Sequence, residues 1–441
     1  MTHLTGAFSR LGPAKVLVIG DLMLDTYTIG KAHRISPEAP VAVIRVQREE
    51  QRPGGSGNVA LNLISLGAEV IIVGRVGQDS AAAMLRHVLE QEGVACRGIF
   101  AQAGFQTPIK NRIIADNQQI VRVDHEQFTP LPEMLEQQII EALPAMLEGV
   151  KAVAISDYGK GFLSRPLLEA LIELAKARGI PTLVDPKGVD FSKYGGADLL
   201  KPNLQEAIAA AGLGAEAPLE HIAAKILKAA QVGQLLITRS ESGMSLFSTD
   251  GSQLDFPVRA HEVKDVTGAG DTVLAMLACC IANQLSTSEA IHMANLAAGI
   301  AIEHFGCARV SLSQLARRLL KQDIANKVFD EEHLFALQEA LRGNSFALLG
   351  VHSSQGLTSR IFSSIRQLGQ REGWTLLVYI RDPDPSAEFI DILASLHDVD
   401  FIILKKESLS HLCKSIAPDE VYVVERDACR QLNHHMQFSS P

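Results

Sequence analysis

Short apolar runs alternate with longer amphipathic stretches along most of this chain. Residues 15–20 (KVLVIG) predict a buried strand ending at a glycine and an aspartate. Further strands are predicted at 70–73, 152–156, 181–185 and 234–238, with a short apolar piece at 199–201 before Pro202. Between them, helical spacing of apolar residues predicts helices over 58–66, 78–92, 165–178 and 217–230. Strands alternating with helices of this length build βαβ units, hence a doubly wound α/β fold around a mostly parallel sheet. Residues 41–46 (VAVIRV) and 113–123 break that rhythm. They predict a small β-flap, drawn from about 31–53 and 105–125, over the carboxyl edge of the sheet, where open α/β sheets bind ligands.

Beyond residue 256 a long helix starts inside a glycine run, a second apolar helix covers 288–303, and a more charged helical stretch covers 311–340. From 346 a new alternation begins: FALLGV, a helix through 371, WTLLVYI, a helix near 386–396, DFIIL, a helix near 407–416, then EVYVV. This predicts a second, small α/β unit of about 100 residues, a size at which a domain holds its own core. The expected division is 1–330 for the first domain, 331–343 for a helical linker and 344–441 for the second domain.

Composition narrows the class. Hydrophobic residues make up 47% of the 441 and charged residues 21%, which excludes a disordered chain and a fibrous repeat. Asp+Glu number 50 against 41 Lys+Arg, a net charge of −9 that argues against a nucleic-acid partner but leaves room for a cationic pocket for an anionic metabolite. Six cysteines (96, 279, 280, 307, 413, 429) include no C-x-x-C pair and read as free thiols in a reducing compartment. No apolar h-region opens the chain, and no stretch reaches the roughly 20 apolar residues of a membrane span. A cytoplasmic protein without a membrane partner is expected.

The strongest chemical signal is DVTGAGDT at 265–272, running straight into an apolar helix. Gly268, Ala269 and Gly270 let a ligand approach the backbone, and the amides of a helix start favour an anion. Asp271 is an unusual neighbour for a bound phosphate unless it does chemistry, such as accepting a proton from a sugar hydroxyl that attacks phosphorus. A plain helix cap fits the same eight residues. Gly54, Gly55 and Asn58 lie in PGGSGN before another helix and suit a polyol, or equally a turn with an N-cap. Asp25 follows the first strand and can grip hydroxyls or serve as a cap. Asn203, Leu204, Gln205 and Glu206 (NLQE) follow Pro202, fitting either a nucleotide contact or a capping box. Thr238 and Gly243 (TRSESG) end another strand.

Taken in order, these segments resemble the ribokinase-like, pfkB-type carbohydrate kinases over about residues 13–320. DVTGAGDT looks like that family's C-terminal motif and PGGSGN like its glycine-rich N-terminal one. The resemblance implies that Asp271 is the catalytic base and that Gly268, Ala269 and Gly270 form the anion hole. It implies that Asp25, Gly54, Gly55 and Asn58 hold the sugar. Asn203 through Glu206, with Thr238 and Gly243, would serve ATP, and Glu206 would reach Mg²⁺ through water. A monovalent cation such as K⁺ is left open, and the family pairs through its flap strands, so a homodimer is expected.

GDLMLDTY, HRISPEAPVAV, RPGGSGNVALNL, NQQIVRVDHE, SDYGKG, LVDPKG, LKPNLQE and TRSESGMSLF narrow the resemblance to the kinase half of the bifunctional heptose enzymes of lipopolysaccharide synthesis. Such an enzyme phosphorylates D-glycero-β-D-manno-heptose 7-phosphate at O1. A phosphorylated substrate needs extra cations. Lys110, Arg112, Arg122, Lys160 and Lys187 lie in or beside matched segments, and Lys187 and Arg112 are favoured here. The alternatives are a kinase of the same fold for another sugar, sugar phosphate or nucleoside, and a non-catalytic sugar-phosphate sensor.

The second unit sits where those enzymes carry a Rossmann-like nucleotidyltransferase domain, but its chemistry departs. Their H-x-G-H sequence after the first strand is replaced by GVHSSQGLTSR, with Gly356 and Ser359 at the histidine places and His352 alone. Losing two charge-stabilising groups removes several kcal/mol of transition-state stabilisation. The expectation is a degenerate domain without adenylyl transfer. His434 and His435 near the tail read as a solvated terminus or a metal pair.

Overall fold

The computed structural model describes residues 4–116, 118–258, 263–304, 306–322, 327–329, 334–404, 408–425 and 428–432. His434 and His435 lie outside them. The chain forms two compact units, Leu11–Ser311, and Met1–Arg10 together with Leu312–Pro441.

Among the described residues, the first unit is built on a sheet of nine strands. Their order is Gln253–Phe256, Met244–Ser248, Gln234–Thr238, Leu199–Leu200, Thr182–Asp185, Ala152–Ser156, Lys15–Gly20, Glu69–Val76 and Ala95–Ala101. The seven from Gln234–Thr238 onward run parallel, and the two on the other edge are antiparallel. Parallel strands are covered on both faces, which is why KVLVIG and AVAIS are apolar throughout rather than alternating. Helices such as Arg165–Ala177, capped by Ser164 and with Pro166 in its first turn, bury their apolar stripe on this sheet.

The flap is a separate four-stranded sheet in the order Ala42–Gly55, Leu22–Ile35, Ile109–Ala115, Gln118–His125. It begins earlier than the expected 31. Only Asp21 separates its first strand from Lys15–Gly20, so the chain passes from the main sheet into the flap without a loop. Backbone pairing over 14 residues organises this strand although its polar and apolar positions do not alternate cleanly.

The second unit holds a six-stranded sheet in the order Val328–Phe329, Phe401–Leu404, Trp374–Ile380, Ser345–Val351, Glu420–Glu425, Ala428–Leu432. The inner four are the strands expected from the sequence; a two-residue strand and an antiparallel strand close its edges. The helix Leu312–Gln322, placed by sequence with the first domain, groups with this unit. Its buried Leu315, Ala316 and Leu319 form a stripe, and it packs on Leu334–Leu341 and on the N-terminal helix Leu4–Ser9, where Phe8 meets Phe335 at 5.4 Å between ring centroids. No helix among the described residues is long and apolar enough to cross a membrane.

Candidate active site

Parallel strands deliver their carboxyl ends to one edge of the sheet. Asp21, Asp157, Asp185, Lys201 and Thr238 all stand at or just past such ends. Against this edge the helix Ala269–Ala282 begins. Gly268 caps it with φ +78°, a conformation that favours glycine, and a Cβ there would stand 2.9 Å from Asn58 Nδ2. The motif therefore needs glycine here for both backbone and space.

Asp271 lies in the first turn and is 3% exposed. Asn58 Nδ2 donates to its Oδ2 at 2.8 Å, and the Tyr158 hydroxyl donates to its Oδ1 at 2.7 Å. Burial pushes its carboxyl up to about 7, against the pull of these two donors and of Lys201, with Asp185 adding to the rise. A carboxylate poised near neutrality is suited to take a proton at physiological pH. Asp185, itself raised by burial, is paired with Lys201 at 3.0 Å, and this ion pair sits beside Gly270.

The sugar-side expectations converge on a neighbouring group. Asp25 is buried and pairs with Arg112 Nη1 at 2.6 Å, and Arg112 also lies over the Tyr27 ring at 5.4 Å. Gly54 packs directly on the Asp25 carboxylate, with no room for a side chain, and Gly55 joins the flap strand to the helix Ser56–Ser65 that carries Asn58. The Cys307 thiol lies 3.8 Å from Asp25 Oδ2 and beside Gly268, so it touches both the sugar-side and the helix-start groups. Lys110 stands over the Tyr158 ring at 5.6 Å. Arg122 pairs with Asp124 on the exposed flap strand, and Lys160 with Glu126.

Lys187 does not join this group. Its Nζ pairs with Glu206 Oε1 at 2.7 Å. Glu206 and Asn203 form a reciprocal capping box at the start of the helix Leu204–Ala211, which also carries Gln205, and Asn203 bridges to Thr238. Lys187 thus stands with Asn203, Glu206 and Thr238, the residues expected on the nucleotide side, drawn there by the Glu206 charge. Thr238 and Gly243 line a cavity of about 580 Å³ together with Met244, Val266, Ala269, Gly270 and Asn295. Asn295 Nδ2 donates to the Phe256 carbonyl while its buried Oδ1 has no partner. An apolar slot with one unmet acceptor fits a flat heterocycle bearing an amino group. Among the described residues no cluster of three or more His, Cys, Asp or Glu is placed to hold a metal ion.

Tyr158, Lys201, Asp185, Cys307 and Asn295 were not singled out in the sequence. Tyr158 stands in SDYGKG and Lys201 in LKPNLQE, both matched segments, and their position at or just past the end of a predicted strand was the available signal.

The model of the pfkB family carbohydrate kinases matches residues 13–315. A protein of Trichlorobacter lovleyi described as bifunctional protein HldE is 40% identical over 417 residues, 91% of this chain and 85% of that one. One of the same description from Pseudomonas entomophila is 39% identical over 428 residues, covering 93% and 89%. Among solved structures, Arabidopsis thaliana ribokinase complexed with ribose and ATP superposes with a TM-score of 0.55 at 19% identity, covering 70% of this chain and 99% of that one. Phosphofructokinase-2 of Escherichia coli in complex with potassium gives 0.58 at 19%, again covering 70% and 99%. With a family model spanning nearly all of the first unit, and relatives aligned across nearly the full length, the chain belongs to the pfkB family of carbohydrate kinases.

Proposed function

We propose that this kinase transfers the γ-phosphoryl group of ATP to O1 of D-glycero-β-D-manno-heptose 7-phosphate, giving the 1,7-bisphosphate used for ADP-heptose and the lipopolysaccharide core. The observation that carries the reading is Asp271, a buried carboxylate raised toward neutrality at the start of a helix, with the Lys201–Asp185 ion pair beside the adjacent Gly270. On this reading the O1 proton passes to Asp271 and O1 bonds to the γ-phosphorus. The bridging P–O bond breaks, and its electron pair leaves with ADP. The backbone of Gly268, Ala269 and Gly270 and the charge of Lys201 bear the charge that develops on the phosphoryl oxygens. Asp25 and Asn58 orient sugar hydroxyls, and Arg112 offers the cation nearest them for the 7-phosphate. The adenine lies in the 580 Å³ cavity, with Asn295 Oδ1 accepting from its amino group. Glu206, with Lys187 beside it, would hold a water of Mg²⁺, which when bound would offset the charge of the ATP phosphates.

The second unit takes no part in adenylyl transfer on this reading. After the strand Ser345–Val351, Asp382 accepts from the Ser353 amide and pairs with His352 Nδ1 at 3.1 Å. A carboxylate thus stands against the turn that follows this strand, where it would repel a triphosphate, and no histidine stands at 356 or 359. The flap supports a homodimer: Val46, Ile120, Val121 and Val123 expose apolar side chains on its outer strands. The purified chain incubated with ATP, Mg²⁺ and heptose 7-phosphate, with and without K⁺, should yield heptose 1,7-bisphosphate by mass and no ADP-heptose when given heptose 1-phosphate. A different sugar phosphate consumed in preference, or ADP-heptose formed, overturns the respective half of the proposal.

A further inference from the structure

We infer that Tyr158 is a positioning residue for the reaction: its hydroxyl holds the Asp271 carboxylate in the orientation that accepts the O1 proton and sets the pH at which that carboxylate becomes a base. The inference rests on the assignment of Asp271 as the base.

Three observations carry it. The hydroxyl-to-Oδ1 bond of 2.7 Å and the Asn58 amide bond of 2.8 Å to Oδ2 engage both carboxylate oxygens, which fixes the rotation of the group. Tyr158 is itself held from its backbone. Its N–H donates to Asp21 Oδ2 at 2.9 Å, and the Lys160 N–H donates to the same oxygen at 3.1 Å. Behind that turn, the buried Arg75 donates to the Lys160 carbonyl at 2.7 Å and to the Pro130 carbonyl at 3.2 Å. A side chain clamped through its own main chain and through a buried guanidinium moves little when substrate enters. Finally, Lys110 reaches over the Tyr158 ring from the flap strand Ile109–Ala115 at 5.6 Å. A cation on the ring face makes the phenol a stronger donor. The base is thereby linked to the flap that covers the sugar.

The hydroxyl acts as donor only. Burial, with Asp271 and Asp185 nearby, raises Tyr158 well above the ordinary phenol range, so it keeps its proton throughout turnover. A donated hydrogen bond favours the charged carboxylate and restrains the rise that burial imposes on Asp271. The other ionisable groups facing Asp271 are Asp185 and Lys201 from the strand ends and the Cys307 thiol, which burial pushes up to about 12. The helix Ser56–Ser65 and the strand Ala152–Ser156 contribute none. Lys15, on Lys15–Gly20, donates to the Glu148 carbonyl, while on Thr287–Ala301 Glu289 caps its own helix and His292 packs on Phe256.

The test is the pH profile of kcat/KM for the full chain carrying Tyr158→Phe. Its acid limb should move up by about one pH unit, the size expected for loss of one hydrogen bond to a charged group. KM for ATP should hold while kcat falls. A merely structural tyrosine would change the amount of folded protein and leave the limb in place. A second protein, with 3-fluorotyrosine at 158, keeps the shape and strengthens the donor, so its limb should move down; it decides the matter if the phenylalanine variant fails to fold. A limb that stays with that of the unaltered chain in either folded protein overturns the inference. Asp271→Asn separates the two readings. If that variant turns over normally, the base assignment fails and this inference with it. If it is inactive while the Tyr158→Phe limb is unmoved, only the inference fails.

Discussion

The Asn58 side-chain amide donates to Oδ2 of Asp271 at 2.8 Å across 213 residues of chain. That single bond joins the two glycine-rich motifs into one device. Asn58 stands in the first turn of Ser56–Ser65 and Asp271 in the first turn of Ala269–Ala282, and the two helices pack with their N-termini together. Two helix starts aimed at one point concentrate positive potential where the proposed reaction places phosphate charge.

Gly268→Ala should abolish turnover without unfolding the chain. The added methyl would meet Asn58 Nδ2 at 2.9 Å and the Cys307 Cα at 3.3 Å, in a backbone conformation that already costs an alanine about 1 kcal/mol. The Asn58–Asp271 bond is what gives way. We expect kcat to fall at least a hundredfold with a melting temperature within a few degrees of the unaltered chain. Near-normal kcat would show that the bond is dispensable.

Asp271→Asn should lower kcat by about 10²–10⁴-fold, the usual worth of a general base. It should also change how stability varies with pH. The folded carboxyl titrates at about 7 and the unfolded one at 3.8, so the folded state binds the proton more tightly between them. Stability from this group is fully present below about pH 4 and is lost as pH rises through 7. The asparagine carries no such loss, provided the Tyr158 hydroxyl turns to accept from its new amide. At pH 8 the variant should melt higher than the unaltered chain, and the advantage should shrink toward pH 5. A melting difference independent of pH would show that Asp271 is not held in this raised state.

The parallel sheet, the flap and the small second unit were readable because each rests on local patterning: apolar runs for strands covered on both faces, alternation for strands with one wet face. DVTGAGDT and PGGSGN each fit a plain helix cap, and were readable as a site only because the two occur in order along one chain with the other matched segments. Tyr158 and Lys201 were not, because their roles arise only when four strand ends are brought side by side. Lys187 was favoured for its charge and its place in a matched segment, and neither says which carboxylate a flexible lysine will find. The helix Leu312–Gln322 fell inside the expected 1–330 because its stripe fits any apolar partner; it groups with the second unit.

Arg112→Gln and Lys187→Gln should therefore separate. Arg112 is nearly buried against Asp25, and removing one member of such a pair leaves the other charge uncompensated, at about 3–5 kcal/mol before local rearrangement. Its loss should raise KM for the sugar phosphate and lower the melting temperature. Asp25→Asn added to it should recover stability but not activity. Lys187 is half exposed and bound to Glu206, so its loss should raise KM for ATP and leave the sugar KM and the melting temperature nearly unchanged. Equal effects of the two substitutions on the sugar KM would return Lys187 to the sugar side.

Lys201→Met tests whether the lysine beside Gly270 serves the reaction or only Asp185. It is 3% exposed, and its pairing with Asp185 at 3.0 Å is what makes a second carboxylate tolerable next to Asp271. Without it, Asp185 and Asp271 repel each other in a site of low dielectric, both are driven further toward the protonated form, and fewer Asp271 groups are available as base at neutral pH. The single variant should lose kcat and melt lower. Lys201→Met with Asp185→Asn removes both charges together and should recover most of the stability, because paired removal leaves no orphan charge. If kcat returns with the stability, the lysine acts only through Asp185. If stability returns while kcat stays low, the ammonium itself meets the transferring phosphoryl group, and raising ATP should not restore the rate.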